Sequence, residues 1–353
     1  MTTGTLSTAN MVHPVTVSVA SEADRAAWDA FVASRPEAAG YHEWAWRGIF
    51  ERAFGHECIY LCARVDGALA GVLPLVLIKS FLFGKTLTSL PFVNFGGVLA
   101  ESDDVARQLA DEAARIATAR GAGHVELRHL GQRFPDWPCK QHKVTMRLPL
   151  ETGMWDRIDR KARNQVRKAE KSELTAVRGG RELLPEFYTV FARNMRDLGT
   201  PVYSRQLFDE VLTAFPDRAK LIVVRLKETP VAAGFTYRTG GMTEIPWASS
   251  IRDFNSLCPN HLLYWRAIET AVAEGCDVFD FGRSTPGEGT FKFKEQWNAQ
   301  PVPLHWEYWL RGGGALPDQG PKNPKFRLAI EGWRRLPLWL ANTVGPHIVS
   351  RIP

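Results

Sequence analysis

Apolar positions recur along this chain in two rhythms, every second residue and every third or fourth, and the switches between them lay out its elements. Residues 15–19 alternate and predict a strand. Ser21 is placed to cap a helix running to Ala33, with Glu22 and Asp24 in its first turn. A second helix is predicted from Tyr41 to about Gly55. Apolar runs at 59–63 and 68–78 then flank Asp66-Gly67, a two-residue hairpin turn. A strand at 94–99, an amphipathic helix at 103–120 stopped by Gly121, and a strand at 125–130 follow.

A strand at 143–150 carries the chain into a second round. Helices are predicted at 155–171, 183–198 and 205–214, with strands at 220–225 and 231–237 joined by a turn at 228–230. A third strand, 242–248, is interrupted by Pro246. A helix from Asn260 to Val272 and a buried-strand pattern from Asp277 to Gly282 come next. The round closes on the glycine-bounded stretch 289–297, Gly-Thr-Phe-Lys-Phe-Lys-Glu-Gln-Trp, which reads as a loop. The halves share an order of elements, so a duplicated α/β fold is expected, with domains at 1–150 and 151–312 and a tail at 313–353. A length of 353 residues suits two domains.

Charge changes this picture locally. The net charge is +6, but residues 155–181 carry nine Lys/Arg against four Asp/Glu, and residues 321–353 carry six against one. Localised positive charge predicts an anionic partner for each segment; the total is too modest for a sequence-specific nucleic-acid binder. The five cysteines have no metal-ligand spacing, and no metal site is expected. No apolar run reaches the roughly 18 residues of a membrane span. The polar, uncharged first ten residues lack the order of a secretory signal, so a cytoplasmic protein is expected.

Candidate chemistry sits on few residues. Arg160, Arg163, Arg167 and Lys171 share one face of the basic helix. Tyr203 and Thr200 lie in a polar turn that Ser204 closes as a helix cap. Trp247, Ser249 and Ser250 follow the proline-interrupted strand. Asp280 ends a strand, where it can take a proton from an amine or orient it, or else pair with Arg283 or Lys292. His261, near a helix start, can be a base or a structural residue. In the tail, Arg327, Arg334 and Arg335 alternate with Phe326, Trp333, Leu336, Leu338, Trp339 and Leu340, a composition that suits a membrane interface or packing on the second domain. Neither a Gly-x-Ser-x-Gly elbow nor a phosphate-binding P-loop is present.

The ending Phe293-Lys294-x-x-Trp297 after a glycine-rich stretch resembles the Phe-Lys-x-x-Phe ending of the Fem family of peptidyl (aminoacyl) transferases, and 163–169 resembles that family's Arg-x-x-Ile-Arg-Lys-Ala segment. The pattern over residues 30–310 is similar to FemAB-related proteins of exosortase/PEP-CTERM and exopolysaccharide systems. The resemblance implies two tandem acetyltransferase (GNAT)-like domains with mixed sheets flanked by helices. It also implies transfer of an acyl or aminoacyl group to an amine of a phosphate-bearing envelope or glycan precursor, at the inner face of the membrane. Arg163, Arg167 and Lys168 would then contact phosphate and Lys294 would stabilise developing negative charge. Phe293 and Trp297 would wall the pocket, beside Tyr203, Trp247, Ser250, Arg283 and Lys292. The strand bearing Trp247 would splay from its neighbour, with exposed amides at the oxyanion. The segment 256–261, Ser-Leu-Cys-Pro-Asn-His, lacks the glycine-rich loop with which coenzyme A-dependent relatives bind pyrophosphate at a helix N-terminus. The donor is therefore left open between aminoacyl-tRNA and an acyl-coenzyme A. A non-catalytic protein of the same fold, binding an anionic glycolipid or an assembly partner, is the rival expectation.

Overall fold

The computed structural model describes residues 14–81, 83–317 and 324–352. The first ten residues, on which the absence of a secretory signal was read, and the start of the tail at 318–323 lie outside them. In chain order the first half runs β1 (Val15–Val19), α1 (Arg25–Ala33), α2 (Ala45–Phe54), β2 (Glu57–Val65), β3 (Ala68–Ser80), β4 (Gly84–Thr88), β5 (Leu99–Ala100), α3 (Asp103–Arg120), β6 (His124–His129) and β7 (Cys139–Pro149). Then come α4 (Met154–Arg157), α5 (Arg160–Lys171), β8 (Leu174–Gly179), α6 (Leu184–Leu198), α7 (Arg205–Ala214), β9 (Ala219–Leu226), β10 (Thr229–Thr239) and β11 (Met242–Ser250). The chain closes with α8 (Pro259–Ala273), β12 (Val278–Ser284), α9 (Gly289–Glu295), β13 (Gln300–Leu310), α10 (Pro324–Arg334) and α11 (Leu338–Val349).

All but β5 lie on one mixed path, β1-β2-β3-β4-β6-β13-β7-β12-β11-β10-β9-β8, so the two halves are fused through a continuous sheet. The junction is an exchange of strands. The last strand of the first half, β7, pairs with β12 of the second, while β13, the last of the second, pairs with β6 of the first. The exchanged strands then pair with each other, antiparallel. Pro301 and Pro303 open β13, where only β7 is a neighbour; pairing to β6 begins at His305, so neither missing N–H interrupts that ladder.

One core, on the face covered by α1, α2, α6 and α7, runs across both halves. The opposite face carries two separate cores, under α3 in the first half and under α5 and α8 in the second. Several expectations are corrected. The stretch 289–295 is a helix, because Phe293 and Trp297 fall one turn apart and both pack inward; its alternation with lysine imitates a loop. The basic helix breaks at Ile158, whose extended backbone separates α4 from α5. Residues 91–98 are irregular and only Leu99–Ala100 pairs. The hairpin turn of the second half is at Lys227-Glu228, with Lys227 at φ 54°.

Candidate active site

The two halves repeat one local motif with different contents. In each, a parallel pair is joined over three positions and then parts: β4 with β6 as far as Thr88 and Glu126, and β11 with β12 as far as Glu244 and Asp280. The first gap is occupied by the chain itself. Ser89 N donates to Glu126 O, Arg128 N to the Ser89 hydroxyl, and Gly96 N to Arg128 O. The second gap starts at Pro246 on one strand and at a bulge in the other, where Gly282 takes φ 72°. A side chain at Gly282 would press on Asn94 and on the Ile245 carbonyl, so the close approach of these segments requires glycine.

Around this second gap lies a buried polar centre. Asp280 is fully buried and accepts from the Thr145 hydroxyl, from Arg147 Nε at 3.0 Å and from Gly282 N at 2.8 Å. Glu244, directly beside it in register, accepts from the Asn94 amide. Burial, and then the charge of Asp280, pushes the Glu244 carboxyl up to about 8, so it carries its proton at neutral pH. The buried Tyr41 hydroxyl neighbours Glu244, and the two groups act on each other's titration. Lys294 completes the centre. Its ammonium donates to the carbonyls of Gly282 and Arg283, 2.9 Å each, and burial lowers its pKa to about 8 against the pull chiefly of Asp280.

A cavity of about 1010 Å³ opens between the halves on this face of the sheet. Its walls include Gly40, Phe95, Arg128 and His129 from the first half, and Gly241, Met242 and Val278 from the second. Arg147, whose guanidinium holds Asp280, also lines it, so the cavity reaches the edge of the centre.

The structure brings together only part of the expected set. Asp280 and Lys294 come to the same gap, both bonded to Gly282 and linked by charge without an ion pair. Arg283 and Tyr203 influence each other electrostatically across the same face, but Asp280 pairs with Arg147 and not with Arg283 or Lys292. Lys292 is exposed on α9. Phe293 and Trp297 lie on the other face, packed with His261 and Tyr264. Trp247 is core, edge-on to Phe208 and Phe235, and the Ser250 hydroxyl donates to Asn255. The cavity does not run along 247–250. On the basic helix, Arg163 pairs with exposed Asp156 and Arg167 stands 5.4 Å from the Trp155 ring centroid, while Lys168 is exposed. This helix covers the face opposite Asp280, beside the start of α8, where Gln165 meets Cys258. Glu244, Asn94, Tyr41, Thr145 and Arg147 escaped the sequence reading. The available signal was a pair of acidic residues, Glu244 and Asp280, each alone in an apolar strand.

The model of the acetyltransferase (GNAT) domain family matches residues 157–295. No curated protein matches the chain. Among solved structures, FemX is similar at 15% identity and a TM-score of 0.63, over 89% of this chain and all of that one. A tandem GNAT protein from the clavulanic acid biosynthesis pathway is similar at 11% identity and 0.56, over 86% of this chain and all of that one. The C-terminal domain of a putative lysylphosphatidylglycerol synthetase from Agrobacterium fabrum is similar at 12% identity and 0.55, over 82% and 93%. At such identities the likeness concerns fold: a mixed α/β GNAT-like architecture whose large sheet is flanked by helices.

Proposed function

We propose that this protein is an N-acyl or aminoacyl transferase in which an acceptor amine attacks an activated acyl ester at the gap between β11 and β12. The observation that carries this reading is Lys294, a buried ammonium held at the gap by two main-chain carbonyls, beside two acidic residues. In a site screened from water, such a cation stabilises charge developing on an acyl oxygen. The proton lost by the amine ends on the leaving oxygen or sulfur, so the overall reaction leaves no proton on the protein. Asp280, already accepting from three donors, favours the ammonium form of Lys294 by its charge rather than by touching the amine. The acceptor enters by the cavity between the halves. The donor approaches from the face of α8, where Arg163, Arg167 and Lys168 on α5 offer charge to a phosphate.

The GNAT domain match and the FemX-like fold support the chemistry. The neighbours named for FemX and for lysylphosphatidylglycerol synthesis are in keeping with an envelope-related acceptor bearing phosphate, and the sequence resemblance alone suggests the exopolysaccharide or exosortase-associated kind. With it goes a division into catalytic second domain, 151–312, supporting first domain, 1–150, and tail. No helix among the described residues is long and apolar enough to cross a membrane. The tail does pack on the second domain: Arg196 donates to Leu336 O, and Gly199 and Gly345 sit closely against Ile330 and Val202. It still leaves Leu328, Trp339, Val344 and Ile348 outward beside Arg334 and Arg335, a surface suited to peripheral contact with the inner membrane face. The test is thermal stabilisation of the purified protein by coenzyme A esters and by aminoacyl-tRNA. Selective stabilisation by one of them is expected; silence from both would favour the non-catalytic glycolipid-binding alternative.

A further inference from the structure

The centre contains a cation whose charge the fold leaves unanswered. Arg128 is matched by Glu126 at 2.7 Å and Arg147 by Asp280 at 3.0 Å. Arg283, on β12 just past the bulge, forms no ion pair or hydrogen bond through its guanidinium among the described residues. It stands 5.7 Å from the Trp306 ring centroid, and Arg128 stands 4.3 Å from the same ring. The charged groups acting on it are Arg128, Lys294 and, more weakly, Glu126; the rings of Tyr203 and Tyr41 are neighbours too. Burial lowers its pKa, and Arg128 adds to the effect. With Arg128 and Arg147 each matched by a carboxylate and Lys294 held by two carbonyls beside Asp280, Arg283 is left without an anionic partner.

A half-buried guanidinium crowded by another arginine and without a carboxylate gains little for the fold in return for its desolvation. Its presence at the gap makes sense if something anionic joins it. Arginine's planar fork suits an oxyanion held by two parallel hydrogen bonds, with an aromatic ring behind it. We propose that Arg283, backed by the Trp306 ring that it shares with the cavity-lining Arg128, is an anion-binding subsite at the edge of this cleft, taking a phosphate or carboxylate group carried by the substrate. This rests on the cleft being the substrate site but not on any transfer taking place.

The experiment compares wild-type protein with Arg283→Met and Arg283→Lys in thermal melts, titrated separately with inorganic pyrophosphate and with succinate. Without added anion, Arg283→Met should melt at or above the wild-type temperature. Pyrophosphate or succinate should raise the wild-type melting temperature, the responsive probe naming a phosphate-bearing or a carboxylate-bearing substrate. Apparent affinity should fall at least tenfold in Arg283→Met and by an intermediate factor in Arg283→Lys, which keeps the charge without the fork. A drop in the melting temperature of anion-free Arg283→Met would assign Arg283 a structural role and overturn the proposal. Equal responses of wild type and Arg283→Met would mean that the anion binds elsewhere, and no response of the wild type to either anion would also overturn it. Because these readouts are binding and stability, a failed acyl-transfer assay would not alter them.

Discussion

Replacing Glu244 by glutamine should change the pH dependence of stability in a direction the structure fixes. Glu244 is 2% exposed, lies in register with Asp280, and is pushed up to about 8 from an ordinary value of 4.5. The folded state therefore holds a proton on this residue that the unfolded chain releases. Between about pH 4.5 and 8 the native state binds more protons than the unfolded one, so this group's contribution to stability falls as pH rises. Each pH unit inside that window is worth about 1.4 kcal/mol. Glutamine presents an amide in place of the protonated acid, retains an oxygen for the Asn94 amide, and removes the titration. Urea unfolding of both proteins at pH 5.5 and 7.5 measures the difference. The stability of Glu244→Gln relative to wild type should rise by on the order of 2 kcal/mol between those pH values. A relative stability that does not move with pH would refute a buried, protonated Glu244.

Further outcomes follow from the packing. Trp297 is fully buried among His261, Tyr264, Phe281 and Phe293, so Trp297→Ala should cost about 3–5 kcal/mol in chemical denaturation, showing its role to be packing. Expressed separately, 1–150 and 151–312 should each fail to give a cooperatively folded monomer by circular dichroism, because each lacks a strand that the other supplies. Trp339→Ser should leave the melting temperature within a degree or two, since the side chain is 70% exposed, while weakening co-sedimentation with anionic phosphatidylglycerol vesicles. Equal sedimentation of both proteins would argue against membrane contact through the tail.

Legibility in the sequence followed the range of the interactions involved. The hairpin at Asp66-Gly67, α3 with its stop at Gly121, and Ser204 at the head of α7 rest on local chemistry, and a linear reading finds them. The exchanged strand β13 was missed because its opening prolines argue against a strand, and only its one-sided pairing there explains them. Lys294 and Asp280 were visible as a lysine in an aromatic motif and a carboxylate closing a strand. Their companions were not, because Asn94 and Glu244 stand 150 positions apart and Thr145 and Asp280 stand 135 apart. Nothing local distinguishes Arg147, half-buried on Asp280, from an ordinary strand arginine. The basic stripe of α5 was read correctly as a stripe, yet the folding of α5 onto α8 puts it behind the sheet from the carboxylates.

The central claim is that the ammonium of Lys294 serves acyl transfer, and it is tested most directly by the rate of labelled acyl transfer to an amine acceptor in wild type and Lys294→Met. The donor should be whichever one stabilises the wild-type protein. The account predicts that Lys294→Met still binds that donor while transfer falls by about 10²–10³-fold, the usual loss for one stabilising donor at a developing oxyanion. The wild-type rate should also decline as pH rises through about 8, where Lys294 loses its proton. Transfer by Lys294→Met at the wild-type rate, with the same pH profile, would contradict the account.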